Sequence, residues 1–435
     1  MVESTFKDHR GEHRLFAGRA AIASTLVVAA LLAVVAKLAH LQIESHEHFS
    51  TLSQDNRVKI EPLPPTRGLI YDANGVLLAE NYPSYSLDIT LEKVEDLDAT
   101  IAELAKIVRI EEVDRQRFER LRKQRRRFEG VPIRTNLNQE EVARVAVNSH
   151  RFPGVDIGAA LLRSYPLGEH TAHVLGYVGR INEEEIKRID ASDYAGTNYI
   201  GKGGVEKAHE ELLHGHVGHQ QVEVNAKGRV SRVLESQPPD PGRDLRLFLD
   251  IKLQQQAALA LGDNRGAVVA IDPRSGGVLA MVSRPSFDPN PVVEGIGSEE
   301  YGALRDSPDT PLFNRAVRGQ YPPGSTVKPF VGLGGLETGV VGAGSGKYCP
   351  GFYQLPNHSH RYRDWKKTGH GHTDASKAII ESCDVFFYSL AHTMGVDALQ
   401  DYLKHFRFGK KTGVDLLGER SGIRPSREWK RSRRG

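Results

Sequence analysis

Ser325 and Lys328 are the residues whose types and spacing most directly predict chemistry in this sequence. Residues i and i+3 of a helix point the same way, so the lysine amine can take the serine hydroxyl's proton without a histidine. The pair therefore predicts a nucleophile with its own base. The spacing alone is weak evidence, because Ser4 and Lys7 repeat it.

The surroundings of Ser325 distinguish it from Ser4. Pro322, Pro323 and Gly324 end an extended approach, and residues 329–333 continue as an apolar stretch. This pattern predicts that Ser325 stands at the start of a buried helix.

The first element of the chain that carries this pair is a predicted membrane span at residues 20–41. This stretch is almost entirely apolar, about the length that crosses a bilayer, and Lys37 can snorkel to the interface. Basic residues precede it and glutamates follow it, which keeps residues 1–19 in the cytoplasm as a tail and exports the remainder. Ser4 then lies on that tail. A cleaved signal peptide is the alternative, although the apolar run is longer than a usual signal core.

The exported part divides at a proline-rich boundary near residues 237–242. Before it, residues 67–79 predict a hairpin around Asn74-Gly75, and residues 91–128 have helical spacing. After it, residues 266–272 predict a buried strand that pairs with residues 278–282, preceded by a helix at 252–261. The fold class is therefore α+β, an antiparallel sheet with helices against it. A net charge of +3 gives no reason to expect nucleic acid as a partner.

With these parts in order, the chain resembles the class B penicillin-binding proteins, most closely the penicillin-binding protein 2 subgroup of cell elongation. The resemblance rests on four segments. These are Arg67-Gly68-x-Ile70-x-Asp72-x-x-Gly75, the run from Tyr321 to Lys328, Glu381-Ser382-Cys383-Asp384, and Tyr362-Arg363-Asp364-Trp365. It implies a single transmembrane helix, an elongated pedestal at 42–240, and a penicillin-binding transpeptidase domain from residue 243.

The resemblance also implies roles for individual residues. Ser325 would be the acylated nucleophile, Lys328 its base, and Ser382 the hydroxyl that relays protons toward Lys328 and the leaving amine. Asp384 stands where such enzymes usually have asparagine. A carboxylate there would favour the ammonium form of Lys328 and oppose its role as base, unless burial offsets it.

The third motif of these enzymes is K-T-G, and Lys411-Thr412-Gly413 spells it. We interpret this segment as structural, because residues 414–419 resemble a family segment that leads from a helix to a loop below the site. The functional motif is expected on an edge strand well over a hundred residues after Ser382, where it supplies an oxyanion donor. The sequence thus predicts an incomplete transpeptidase domain at residues 243–435.

Cys349 and Cys383 are the only cysteines, and in an exported protein a disulfide is one interpretation. Asp364 and His370 lie between them, and two thiolates, a carboxylate and an imidazole also suit a closed, tetrahedral structural zinc site. Some members of the resembled subgroup hold zinc there, usually with an acid in place of Cys349. The neighbouring histidines are expected to face solvent in loops: His358, His360 and His372.

The resemblance implies a peptidoglycan D,D-transpeptidase of the bacterial inner membrane that cross-links stem peptides through a Ser325 acyl-enzyme and releases D-Ala. The implied partners are stem peptides, β-lactams, a polytopic SEDS-type glycosyltransferase and other rod-shape elongation proteins. Hydrolysis by water, as in a D,D-carboxypeptidase or β-lactamase, is one alternative. The other is a catalytically inactive chain that acts only through its span and pedestal on the glycosyltransferase.

Overall fold

The computed structural model describes residues 9–40, 43, 58–123, 130–197, 199–225 and 230–434. Its first helix is His9–Ala39. Within it, the stretch Phe16–Ala39 reaches a mean hydropathy of 2.3, and its side chains are exposed. At 1.5 Å per residue, this stretch is about 36 Å long, enough to cross a bilayer's hydrocarbon core. The helix thus covers residues 20–39 of the predicted span 20–41, and residue 41 falls outside the described residues.

The pedestal is organised around one long strand, β3 (Leu77–Thr90). It pairs antiparallel with β2 (Ile70–Tyr71), β4 (Gly130–Leu137) and β5 (Val155–Ser164), and β12 (Leu245–Arg246) adds to β2 in parallel. The predicted hairpin at residues 67–79 is confirmed by the β2 and β3 pairing. The Asp72 carboxylate closes its turn by accepting from the backbone N–H groups of Asn74 and Val76.

Helices and smaller strands complete the pedestal. The helical spacing predicted for residues 91–128 appears as two helices, with residues 124–129 outside the described part. The pedestal helices are Leu97–Leu104, Glu112–Arg122, Gln139–Asn148, Ala172–Leu175, Glu183–Ile186, Gly204–Ala208 and Glu210–His214. Its remaining strands are β1 (Val58–Leu63), β6 (Val178–Arg180), β7 (Tyr199–Gly201), β8 (Gly215–His216), β9 (Gly218–Val224), β10 (Val230–Gln237) and β11 (Asp240–Pro241).

Beyond the proline-rich boundary, β13 (Gly266–Ile271) and β14 (Val278–Arg284) form the predicted antiparallel pair. Helix Ile251–Leu261 packs against them. The prediction that the first strand is buried is wrong, because the side chains on one face of β13 are exposed, with Val269 at 44% and Ile271 at 56%. An apolar run alone cannot tell a strand buried on both faces from one covered on a single face.

The remaining elements follow β14 in the chain. Four short strands form two hairpin-like pairs, β15 with β18 and β16 with β17. Their bounds are β15 Lys347–Cys349, β16 Phe352–Gln354, β17 Arg361–Arg363 and β18 Gly371–Thr373. The helices are Asn290–Glu294, Ser298–Asp306, Arg315–Arg318, Lys328–Glu337, Ala375–Ile380, Asp384–Met394, Val396–Lys404 and Arg427–Arg434.

Two of the hydrophobic clusters matter for the site. One packs beneath helices Lys328–Glu337 and Asp384–Met394 and includes Val331, Phe386 and Leu390. Another crosses the pedestal boundary, because residues as distant as Ile70 and Val317 belong to it. The pedestal and the beginning of the second domain therefore share one core.

A buried ion network ties the pedestal strands to its helices. The Glu206 carboxylate, fully buried, receives Arg67 and Arg163 at 2.7 Å each. Arg67 also pairs with Glu210 at 2.6 Å. The opposite charges of these groups are paired, as buried charges must be, although Arg163 Nη2 has no hydrogen-bond partner among the described residues.

Candidate active site

Ser325 lies in a short 3₁₀ turn, Gly324–Val327, that leads into helix Lys328–Glu337. The helix therefore begins one turn later than the sequence suggests. Gly324 has φ +56°, a conformation that a side chain would strain. The Ser325 side chain is exposed while Lys328 is buried, so the nucleophile is open to a substrate and the amine is withdrawn from water.

Ser382 lies between these two groups. Its Oγ donates to Ser325 Oγ at 3.0 Å and accepts from Lys328 Nζ at 3.1 Å. Within the described part of the chain, no hydrogen bond joins Lys328 Nζ directly to Ser325 Oγ. The nucleophile and the amine therefore communicate through the Ser382 hydroxyl, which can both donate and accept.

The Lys328 ammonium has a partner for each of its three protons. Besides Ser382 Oγ, it donates to the Ser382 carbonyl at 2.8 Å and to Asp384 Oδ1 at 2.6 Å. It also stands 5.6 Å from the centre of the Phe387 ring. This set of acceptors suits the charged amine, and it includes the carboxylate that the sequence suggested would favour that form.

The turn that carries Ser382 is conformationally unusual. Helix Ala375–Ile380 ends before it, and helix Asp384–Met394 begins after it. Between them Ser382 has φ +54°, the left-handed region that residues other than glycine rarely adopt. Such conformations persist where the surrounding structure fixes them. The hydroxyl thus reaches both Ser325 and Lys328 from a strained backbone.

A second group of side chains lies directly behind this turn. Cys349, Asp364, His370 and Cys383, here called the donor cluster, are all buried, and one potential ligand atom from each lies within 4.8 Å of the others. Both cysteines are free thiols, so the alternative of a Cys349 to Cys383 disulfide does not hold in this structure. His358, His360 and His372 are exposed, as predicted, but His372 lies in strand β18 and not in a loop.

The spacing within the donor cluster fits a tetrahedral metal. Cys349 Sγ lies 3.6 Å from both Asp364 Oδ2 and His370 Nδ1, and Cys383 Sγ lies 3.5 Å from Asp364 Oδ2. Ligands about 2.0 to 2.3 Å from a zinc ion at tetrahedral angles are separated by roughly 3.3 to 3.8 Å. His370 Nε2 has no hydrogen bond but faces the Glu381 carboxylate at 3.8 Å, in the manner of a metal-bound histidine with an outer carboxylate.

The pKa values of Cys383 and Asp364 in the donor cluster shift in opposite directions. Burial raises the pKa of the Cys383 thiol to about 12. Burial also raises the Asp364 pKa, but the backbone N–H groups of Val385 and Lys366, with smaller contributions from Cys383 and His370, hold that pKa below its usual value. The cluster therefore has an ionised carboxylate beside a thiol that a cation would have to deprotonate.

Lys411-Thr412-Gly413 forms a loop rather than a strand. The Glu419 carboxylate accepts from the backbone N–H groups of Thr412 at 2.6 Å and Gly413 at 3.3 Å. The Lys411 side chain lines a cleft of about 750 Å³ shared with pedestal residues such as Tyr177. This placement agrees with the structural interpretation of the segment.

Two protein-family models match the chain. Residues 62–247 match the penicillin-binding protein dimerisation domain, and residues 266–434 match the penicillin-binding protein transpeptidase domain. The peptidoglycan D,D-transpeptidase MrdA of Escherichia coli K12 is 44% identical over 99% of this chain and 69% of its own length. The chain belongs to the MrdA family of class B penicillin-binding proteins.

Other MrdA-like proteins extend the comparison. The MrdA of Acinetobacter baumannii is 48% identical over 98% of this chain, and the chain spans 63% of that relative's length. A Helicobacter pylori penicillin-binding protein 2, solved in complex with MreC, is similar with a TM-score of 0.75. The two are 32% identical, and the match covers 86% of this chain and 70% of that one.

The structure brings together every residue that the sequence nominated for this MrdA-type site. Ser325, Lys328, Ser382 and Asp384 form one connected group, and the donor cluster adjoins it through Cys383. Sequence reasoning missed Trp365, whose backbone and indole N–H groups both reach the Ser382 turn. Its position next to Asp364, in a segment already singled out, was the available signal.

Proposed function

We propose that this protein is a peptidoglycan D,D-transpeptidase that uses Ser325 as its nucleophile. The observation that carries the proposal is the hydrogen-bonded series Ser325 Oγ, Ser382 Oγ, Lys328 Nζ. A serine so connected can lose its proton as it attacks a carbonyl, because the relay hydroxyl passes one proton on as it receives another. The exposed Ser325 and buried Lys328 suit these roles.

The reaction has two steps. Ser325 Oγ attacks the carbonyl between the last two D-Ala residues of a stem peptide, its proton passes through Ser382 to the neutral form of Lys328, and the peptide bond breaks. The leaving D-Ala amine takes that proton. The acyl group is then transferred from Ser325 to an amine of a neighbouring stem, whose proton returns to Ser325 Oγ through the same groups.

Labelling with a fluorescent penicillin tests this proposal in the full-length protein. A β-lactam is attacked as the stem peptide is, so Ser325 should become covalently labelled and Ser325→Ala should abolish the label. Mass spectrometry of the labelled peptide identifies the site. Undiminished labelling of Ser325→Ala would refute the assignment, and release of hydrolysed stem without cross-linked product would instead favour the carboxypeptidase alternative.

We further propose that the donor cluster holds one structural zinc ion. Two thiolates, a carboxylate and an imidazole, at separations close to those of a tetrahedral shell, support this proposal. The ion would cross-link β15, the loop after β17, the segment before β18 and the start of helix Asp384–Met394. It would contribute to folding and take no part in acyl transfer.

Metal analysis tests the zinc proposal. About one zinc per chain is expected, and a strong chelator should lower the unfolding temperature because a structural ion contributes its binding energy to folding. Cys349→Asp keeps an anionic ligand and should retain zinc, whereas Cys349→Ala should lose most of it. A metal-free protein with a Cys349 to Cys383 disulfide would contradict the proposal.

We propose that the protein lies in the bacterial inner membrane, with its N-terminus in the cytoplasm and the rest of the chain in the periplasm. The apolar stretch Phe16–Ala39 supports a single membrane anchor. The MreC complex of the Helicobacter pylori protein supports elongation proteins as partners, and we propose a SEDS-type glycosyltransferase among them. Protease protection of N- and C-terminal tags in spheroplasts tests this orientation.

A further inference from the structure

We propose that Trp365 is a positioning residue for acyl transfer, which holds the turn that carries Ser382 and Asp384. This inference rests on the proposed function, because it assigns Trp365 a part in the same acylation. Trp365 follows Asp364 at the end of the β17 segment and approaches the turn from outside both flanking helices.

Trp365 donates two hydrogen bonds to the turn, one on each side of Ser382. Its indole Nε1–H donates to the Glu381 carbonyl at 3.0 Å, and its backbone N–H donates to Asp384 Oδ2 at 3.3 Å. Ser382 and Cys383 are the two residues between these acceptors. The two hydrogen bonds from Trp365 therefore hold the turn on both sides of the Ser382 hydroxyl.

The indole contact satisfies a group that the helix leaves open. Glu381 is the C-cap of helix Ala375–Ile380, and the last carbonyls of a helix have no partner within it. The indole N–H supplies that partner, immediately before the backbone enters the left-handed conformation of Ser382. Strained backbone of this kind requires fixed neighbours on both sides.

The backbone contact acts on the other side, through Asp384. One carboxylate oxygen of Asp384 receives Lys328 Nζ at 2.6 Å, and the other receives the Trp365 N–H. The carboxylate plane is therefore fixed from two directions, which in turn fixes where the lysine amine stands relative to Ser382 Oγ.

The exposure of the indole argues against a packing role. The Trp365 side chain is 64% exposed, although a tryptophan that served a core would be largely buried. Its ring meets the His370 ring edge to face at 5.6 Å and otherwise remains open beside the site. The polar edge of Trp365, rather than its apolar area, is what the structure uses.

The test separates the acylation rate constant from the noncovalent affinity for a penicillin, both measured in the full-length protein by stopped flow. Trp365→Phe keeps an aromatic ring and removes only the indole donor. We expect its acylation rate constant to fall about fivefold, the effect of one lost hydrogen bond, with the affinity unchanged. Trp429→Phe, at the other tryptophan among these 435 residues, is the matched control and should behave as the wild type.

An isostere of tryptophan gives a second test that holds even if the phenylalanine variant misfolds. β-(3-Benzothienyl)alanine, incorporated site-specifically at position 365, has sulfur in place of the N–H and keeps the shape of the ring. The same loss in rate constant, with the same affinity and unfolding temperature, is expected. An unchanged rate constant in the isostere protein, or a weakened affinity with an unchanged rate constant, would overturn the positioning role. A wild type that penicillin does not acylate would refute the proposed function itself.

Discussion

Replacing Ser382 gives the sharpest test of how the site moves its proton. The Ser382 hydroxyl is the link between Ser325 Oγ at 3.0 Å and Lys328 Nζ at 3.1 Å. Positioned acid–base groups contribute about a hundredfold to ten-thousandfold in rate, so Ser382→Ala should slow acylation by about a hundredfold or more. Lys328 keeps its contacts with the residue 382 carbonyl and with Asp384, so the loss belongs to the relay and not to a displaced amine.

The backbone at Ser382 supplies a matched control. At φ +54° an alanine keeps the strain of a side chain, whereas glycine adopts this conformation freely. Ser382→Gly should therefore be more stable than Ser382→Ala by about 1 kcal/mol, while both lose acylation to the same extent. The assay is stopped-flow acylation by a fluorescent penicillin, with thermal unfolding measured in parallel. Acylation of Ser382→Gly within threefold of the wild type would refute the relay.

Three further predictions concern the rest of the molecule. Lys411→Ala should be labelled almost normally, because the residue lies in a loop; a loss of several orders of magnitude would make it the third motif. Glu210→Gln should cost about 1 to 3 kcal/mol at neutral pH, since it removes a partner of Arg67. Burial raises the Glu210 pKa, but Arg67 together with the Gly201 N–H and the Tyr194 hydroxyl lowers this pKa below its unfolded value of 4.5. The stability difference should therefore shrink as pH falls below that value, and a pH-independent difference in urea unfolding would contradict this. Asn290→Ala should lower stability by about 1 to 3 kcal/mol in the same assay, because the side chain bonds both backbone groups of Tyr165, and an effect below about 0.5 kcal/mol would show that water replaces these bonds.

Local patterns predicted much of this fold because their physics is local. The Asn74-Gly75 turn, the antiparallel pair after residue 266 and the apolar N-terminal helix each follow from a few neighbouring residues. The spacing of Ser325 and Lys328 likewise placed both near one turn. The same spacing failed to predict how they connect, because the connection depends on Ser382, 54 residues beyond Lys328.

The parts that the sequence could not predict depend on distant partners and backbone conformation. No residue pattern indicated that Ser382 adopts a left-handed conformation, since serine rarely does so. The pairing of Arg67 with Glu206 joins positions 139 residues apart, and only the fold reveals it. The donor cluster was predictable because its ligand types are rare and close in sequence. Trp365 was not, because its indole and backbone N–H groups find their acceptors on Glu381 and Asp384 only once the chain has folded.

The core that crosses the pedestal boundary has a consequence for biosynthesis. Under the proposed topology, the chain leaves the translocon from its N-terminal side, so Ile70 reaches the periplasm long before Val317, its partner in the same core. Until then, the apolar face of the β2 and β3 hairpin is only partly covered. Arg67 likewise has no salt bridge with Glu206 until that residue has been exported. Contacts of such large sequence separation form slowly. Under that topology, the pedestal core is therefore complete only after residues of the transpeptidase domain have followed it across the membrane.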